Sequence, residues 1–197
     1  MSMEILLIRH GKTDGNLRGA YIGSTDEPLC AAGREELAEY QAAGIYPPAA
    51  TVAASNMLRC LQTAELLYPG QPVIQIPDFR ECHFGAFEGM NYRQLNGNPD
   101  YQRWIDNSGA IPFPGGEDPI RFRVRCWNAF QNLCAQRFPD PVAVVCHGGT
   151  IMAILEQCAS PKGDFYRWQT KNGAGYRFWF DSSSGRAADL HTLGGDN

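Results

Sequence analysis

Apolar residues follow two rhythms along this chain. Short unbroken runs, Ile5-Leu6-Leu7-Ile8 and Val142-Ala143-Val144-Val145-Cys146, are too brief for helices and rich in aliphatic and β-branched residues. They predict strands buried on both faces, at residues 4–9 and 142–146. Similar but weaker runs predict strands at 51–54 and 73–76. Between them the spacing lengthens to three and four. Leu58, Leu61, Ala64 and Leu67 form a helical stripe that Pro69-Gly70 ends. Asp118 before Pro119 reads as an N-cap with proline at the first helical position. Ile120, Val124, Trp127, Phe130 and Cys134 then supply an apolar face. Further helices are expected at 31–43 and 150–158, and edge strands at 175–180 and 187–193.

Strands alternating with helices point to an α/β fold, three layers with a mainly parallel sheet flanked by helices. Residues 83–117 interrupt the alternation with an irregular stretch rich in aromatics, Gly, Pro and Asn. A segment of that length inside a compact domain is commonly a functional cap. The expected organisation is one domain over residues 1–197, with this cap as an excursion.

Composition narrows the class. The 197 residues, 44% hydrophobic and 19% charged, are those of an ordinary globular protein. No apolar run approaches the ~20 residues of a membrane span, and the short run at 5–8 is no secretory signal. Seven cysteines without a C-x-x-C pair argue against a zinc or thioredoxin-like site and for reduced thiols in the cytoplasm. A net charge of −4 argues against nucleic acid as partner but leaves a small anionic metabolite open, because local fields can oppose net charge.

Two of the four histidines end buried strands and precede glycine: Arg9-His10-Gly11 and Cys146-His147-Gly148-Gly149. Open α/β sheets bind ligands at such carboxyl edges. A phosphoryl group needs fork-shaped cations, backbone N–H groups, an in-line nucleophile and an acid for the leaving oxygen. His10 suits the nucleophile, and Arg9 and Arg59 suit the clamp. A protonated His147 and the Gly148-Gly149 N–H groups at a helix start suit further oxygens. Glu81, among Phe79, Phe84 and Phe87, suits the acid. Glu88 and Cys146 read as structural, and His83 as structural or a substrate contact. Gly11-Lys12-Thr13 resembles the end of a P-loop, but Leu6 stands where that motif needs glycine.

These segments occur in an order that resembles the histidine phosphatase superfamily, in its phosphoglycerate-mutase-like branch. They are Arg9-His10-Gly11-Lys12-Thr13 with Asn16, Tyr21 to Leu29 with Gly33, Ser55 to Ala64, Arg80-Glu81 through Gly89, and Cys146 to Thr150. The likeness runs over about residues 4–180; Lys12 stands where the family more often has Glu. The resemblance implies a phosphoglycerate-mutase-like fold and His10 as a phosphorylated nucleophile. It further implies Glu81 as general acid, and Arg9, Arg59 and His147 as phosphate ligands, with Asn16 and the Gly148 backbone as lesser contacts. It implies no metal or cofactor. The cap, with Tyr101 to Asn107, Ala110-Ile111-Pro112, Gly115-Gly116-Glu117 and Arg123-Val124, resembles that of α-ribazole phosphatases. Tyr21, Ser24, Thr25, Tyr92 and Trp104 are the substrate-binding residues it implies. A broad-specificity sugar-phosphate or nucleotide phosphatase, a phosphoglycerate mutase and a non-catalytic phospho-ligand module are the alternatives. A small phosphorylated metabolite is the expected partner, and a homodimer is left open.

Overall fold

A computed structural model describes residues 2–194. Its six strands, β1 (Ser2–Arg9), β2 (Thr51–Ala54), β3 (Val73–Gln75), β4 (Val142–Cys146), β5 (Gly175–Asp181) and β6 (Arg186–Leu193), form one mixed sheet in the order β3-β2-β4-β1-β5-β6. The pairs β3–β2, β2–β4 and β4–β1 are parallel; β1–β5 and β5–β6 are antiparallel.

Successive side chains of a strand point to opposite faces, and the central stretches Ile5–Ile8 of β1 and Val142–Cys146 of β4 are apolar at every position for that reason. Ile5 and Leu7 join Val142, Val144 and Cys146 in a core beneath α5 (Pro119–Ala135) and α6 (Gly148–Cys158). Leu6 and Ile8 join Ala143 and Val145 in a second core, beneath α2 (Ala31–Ala42) and α3 (Leu58–Leu67). Two cores on two faces of one sheet make the three layers.

Three expectations need correction. The first concerns β5, which is no edge strand: it lies between β1 and β6. Its alternation, Tyr176, Phe178 and Phe180 inward with Arg177 and Trp179 outward, reports one covered face. Face burial and backbone pairing are separate properties, and only the first is written in hydropathy. In α5, Phe130 and Cys134 are buried as expected and Trp127 packs part-buried on the core, but Ile120 and Val124 are exposed. The inward stripe also takes in Phe122, Cys126, Ala129 and Leu133, which fit the same 3.6-residue period. In α3, Leu58 is likewise exposed, and Arg59, Cys60 and Thr63 are inside.

Two short helices complete the chain. One is α1 (Asp14–Leu17), closed by a capping box between Thr13 and Asn16. The other, α4 (Pro99–Asp106), lies in the cap and is capped by the Asn98 side chain. The cap is packed rather than loose. Phe87, Leu95, Tyr101 and Phe113 form a third apolar cluster that continues into Phe122 and Cys126 of α5 and Ala153 of α6. No helix among the described residues is long and apolar enough to cross a membrane.

The two faces of α5 differ in energetic weight. Phe130→Ala is expected to cost about 3–5 kcal/mol of unfolding free energy in urea titration. Val124→Ala should stay within about 0.5 kcal/mol; comparable losses would place the buried face wrongly.

Candidate active site

The parallel register of β1 and β4 sets Arg9 opposite Cys146, so the residues after them leave the sheet side by side. The His10 N–H donates to the Cys146 carbonyl at 3.0 Å. The His10 and His147 rings lie 5.1 Å apart, tilted by 66°.

His10 is buried, and its Nδ1 lies 2.7 Å from the Gly11 carbonyl oxygen. A carbonyl only accepts, so Nδ1 carries the proton and Nε2 the lone pair. Burial, and then the Arg59 and Arg9 guanidiniums, hold this imidazole well below its ordinary range. The result is an imidazole of fixed tautomer whose surroundings disfavour the protonated form.

His147 is fully buried, with Nε2 3.0 Å from Ser55 Oγ and 3.5 Å from Cys60 Sγ. Burial, Arg59, His10 and Arg9 push its pKa down as well. These surroundings work against the protonated His147 that the sequence suggested.

Arg59 is wholly buried. Its Nη1 donates to the Thr25 carbonyl at 2.8 Å and its Nη2 to the Gly23 carbonyl at 2.9 Å. Arg9 donates through Nη1 to the Thr170 carbonyl at 2.6 Å, and its pKa is lowered, mainly by burial. In both side chains Nε is buried without a partner. A buried, unpaired donor of a charged group costs 1–3 kcal/mol or more, and two of them beside a neutral histidine mark an anion site.

Glu81 closes the opposite side. Its Oε1 accepts the Cys82 N–H at 2.9 Å and its Oε2 the Gly149 N–H at 3.0 Å. A Cβ at Gly149 would lie 2.2 Å from Glu81 Oε1, so glycine there makes room for the carboxylate. The double anion nest expected of Gly148-Gly149 is thus corrected, because one of its N–H groups already serves Glu81.

The family model for the histidine phosphatase superfamily (branch 1) matches residues 5–191. This chain belongs to that superfamily. It is 26% identical over 177 residues, 87% of each protein, to an adenosylcobalamin/alpha-ribazole phosphatase of Salmonella typhimurium. It is 31% identical over 164 residues, 77% of this chain and 73% of the relative, to a 2,3-bisphosphoglycerate-dependent phosphoglycerate mutase of Gloeobacter violaceus. A putative alpha-ribazole-5'-P phosphatase of Escherichia coli superposes with a TM-score of 0.84 at 25% identity, over 98% of this chain and 96% of that one. Like these relatives, this histidine phosphatase is an enzyme of phosphomonoester chemistry.

In this superfamily member a cavity of about 480 Å³ opens over the site. Arg9, His10, Asn16, Glu81, Gly148 and Gly149 line it, as do Tyr21, Tyr92 and Trp104. Arg59 and His147 are not part of the lining; both are wholly buried beside it. Ser24 and Thr25, expected to bind substrate, also lie outside the lining, and both side chains are exposed. Thr25 acts through its backbone, whose carbonyl holds Arg59. Glu88 secures that loop: Oε1 accepts from the Gly23 and Thr25 N–H groups at 2.7 and 2.9 Å, and Oε2 from Phe84 N–H at 3.2 Å. His83 is exposed, outside the lining, and accepts the Gly85 N–H through Nδ1.

Asn172 was invisible in the sequence. Its Nδ2 donates to the His10 carbonyl at 3.0 Å and to Asn16 Oδ1 at 3.1 Å, tying the loop before β5 to the nucleophile. Asn16 Oδ1 also accepts the Thr13 N–H. Tyr21 Oη is 3.0 Å from Tyr101 Oη, and burial followed by that contact raises its pKa. Trp104 stacks on Tyr101, the rings 14° apart. No group of His, Cys, Asp or Glu among the described residues could hold a metal ion.

Both active-site imidazoles titrate below 6.5 when folded, so in that window the unfolded chain binds more protons. Stability is therefore full above about pH 6.5 and falls as pH drops, by about 1.4 kcal/mol per pH unit for each histidine. Urea titrations of wild type and His10→Asn between about pH 6 and 5 should differ in slope by about that amount; parallel slopes would mean His10 is not held neutral. At Gly149 the atom that an added Cβ would strike is the end of a side chain, so the fold survives and Glu81 moves. Gly149→Ala is expected to lower phosphomonoester turnover about 100-fold with an unchanged near-UV spectrum.

Proposed function

We propose that this protein hydrolyses a small phosphate monoester through a phosphohistidine at His10. The observation that carries this reading is the neutral His10 with Nδ1 fixed to Gly11 and two guanidiniums beside it. Nε2 attacks phosphorus in line with the ester oxygen, forming the N–P bond as the P–O bond breaks. Arg9, Arg59 and His147 stabilise the equatorial oxygens, with Asn16 and the Gly148 backbone alongside. Glu81, which reaches over the cavity from the Gly149 side, protonates the leaving oxygen. It then takes a proton from the water that attacks phosphohistidine, releasing phosphate and restoring His10.

The favoured substrate is α-ribazole 5′-phosphate. Two things support it: the relatives that carry that name, and a cavity walled by Tyr21, Phe84, Trp104, Phe113 and Phe122, which suits a flat benzimidazole. The seven unpaired, buried cysteines support a cytoplasmic setting. The mutase-named relative keeps phosphoglycerate mutation as the second reading.

Phosphate release from α-ribazole 5′-phosphate, p-nitrophenyl phosphate and 3-phosphoglycerate separates these. The expected result is hydrolysis of the first with the highest kcat/KM, abolished in a folded His10→Ala protein. Isomerisation of 3-phosphoglycerate dependent on a bisphosphorylated primer would establish the mutase. Full activity in His10→Ala would end the phosphohistidine mechanism.

A further inference from the structure

Helix α6 forms one wall of the cavity and serves as a ruler from the phosphate end. Gly149, in its first turn, meets Glu81, and Met152, one turn on, also lines the cavity. Glu156 stands seven residues beyond Gly149, which at 1.5 Å per residue is about 10 Å further along the helix. There it holds a cavity-lining cation: Arg123 Nη1 donates to Oε1 at 3.1 Å and to Oε2 at 3.4 Å. The Arg123 guanidinium carbon also lies 4.2 Å from the ring centroid of Phe165, another lining residue. Its Nε has no partner.

No step of the proposed chemistry uses this group. An arginine pinned by a carboxylate and backed by a ring has already lost most of its rotamer freedom, so it binds a ligand at low entropic cost. Glu156 neutralises its charge, which makes it a poor second anion site while leaving directional N–H donors. We propose that Arg123 is a specificity-determining residue, donating through the N–H groups that Glu156 does not engage to a neutral acceptor at the far end of the substrate. The acceptor is a ring nitrogen, a carbonyl or a hydroxyl oxygen. The pairing of Arg123 with a residue about two helical turns beyond Gly149 favours a ligand that extends past the phosphate, a molecule built as phosphate, sugar and flat ring, a nucleoside 5′-monophosphate in class. Three-carbon phosphoesters are too short to reach it. The inference rests on the phosphatase reading of the same cavity.

The test compares Arg123→Met and Arg123→Lys with wild type on adenosine 5′-monophosphate, α-ribazole 5′-phosphate and glycerol 3-phosphate. Arg123→Lys keeps the ion pair but loses the planar fork, which separates recognition from folding. Both variants should lower kcat/KM roughly 10-fold or more on at least one of the two ring-bearing substrates, mainly through KM, and stay within about twofold on glycerol 3-phosphate. Equal losses on all three, or no loss on either ring-bearing substrate, would overturn the proposal while leaving the phosphatase reading intact. If wild type hydrolyses none of them, the phosphatase reading fails, and calorimetric affinities of His10→Gln decide the inference. There, weakening of a ring-bearing ligand alone supports it, and parallel affinities with and without Arg123→Met overturn it.

Discussion

The pairing of β1 with β4 is the constraint on which the site depends. Parallel strands bring their carboxyl ends to one edge, and the register that sets Arg9 beside Cys146 brings two histidines from positions 137 residues apart in sequence to within 5.1 Å. Nothing in either local segment creates that proximity. It comes from the apolar stretches Ile5–Ile8 and Val142–Cys146, covered on both faces, which can slip by one residue only by exchanging the side chains of both cores.

Burial at that edge sets the chemistry. The low-dielectric surroundings and two guanidiniums push the pKa values of His10 and His147 down, and the Gly11 carbonyl chooses the His10 tautomer. The same burial leaves one donor of Arg9 and one of Arg59 unpaired, so positive charge and unused N–H groups are concentrated at this edge of the sheet.

The strands at 4–9, 51–54 and 142–146 were legible because unbroken aliphatic runs have few alternatives, and the placement of His10 and His147 because each ends one of them. The helix faces were less so: in α5 the Phe130 and Cys134 end was legible, but at its start Phe122 rather than Ile120 or Val124 turns inward. The hold of the Gly23 and Thr25 carbonyls on Arg59 was hidden because no side-chain motif advertises a backbone acceptor. Asn172 was hidden because a lone amide in a loop has no pattern; its importance arises when β5 returns beside β1. Arg123 was legible only as part of a family-like string, and its partners Glu156 and Phe165 come from other elements.

Glu88 joins two parts of the molecule that otherwise have separate cores. Its carboxylate, at the end of the Gly85–Phe87 turn in the cap, fixes the Gly23 and Thr25 N–H groups, and the carbonyls of those same residues hold Arg59. Order in the cap and order around Arg59 therefore share one set of hydrogen bonds, and linkage makes the relation reciprocal. A ligand that steadies Arg59 steadies the cap, and a cap closed over a substrate ring returns the favour to the guanidinium.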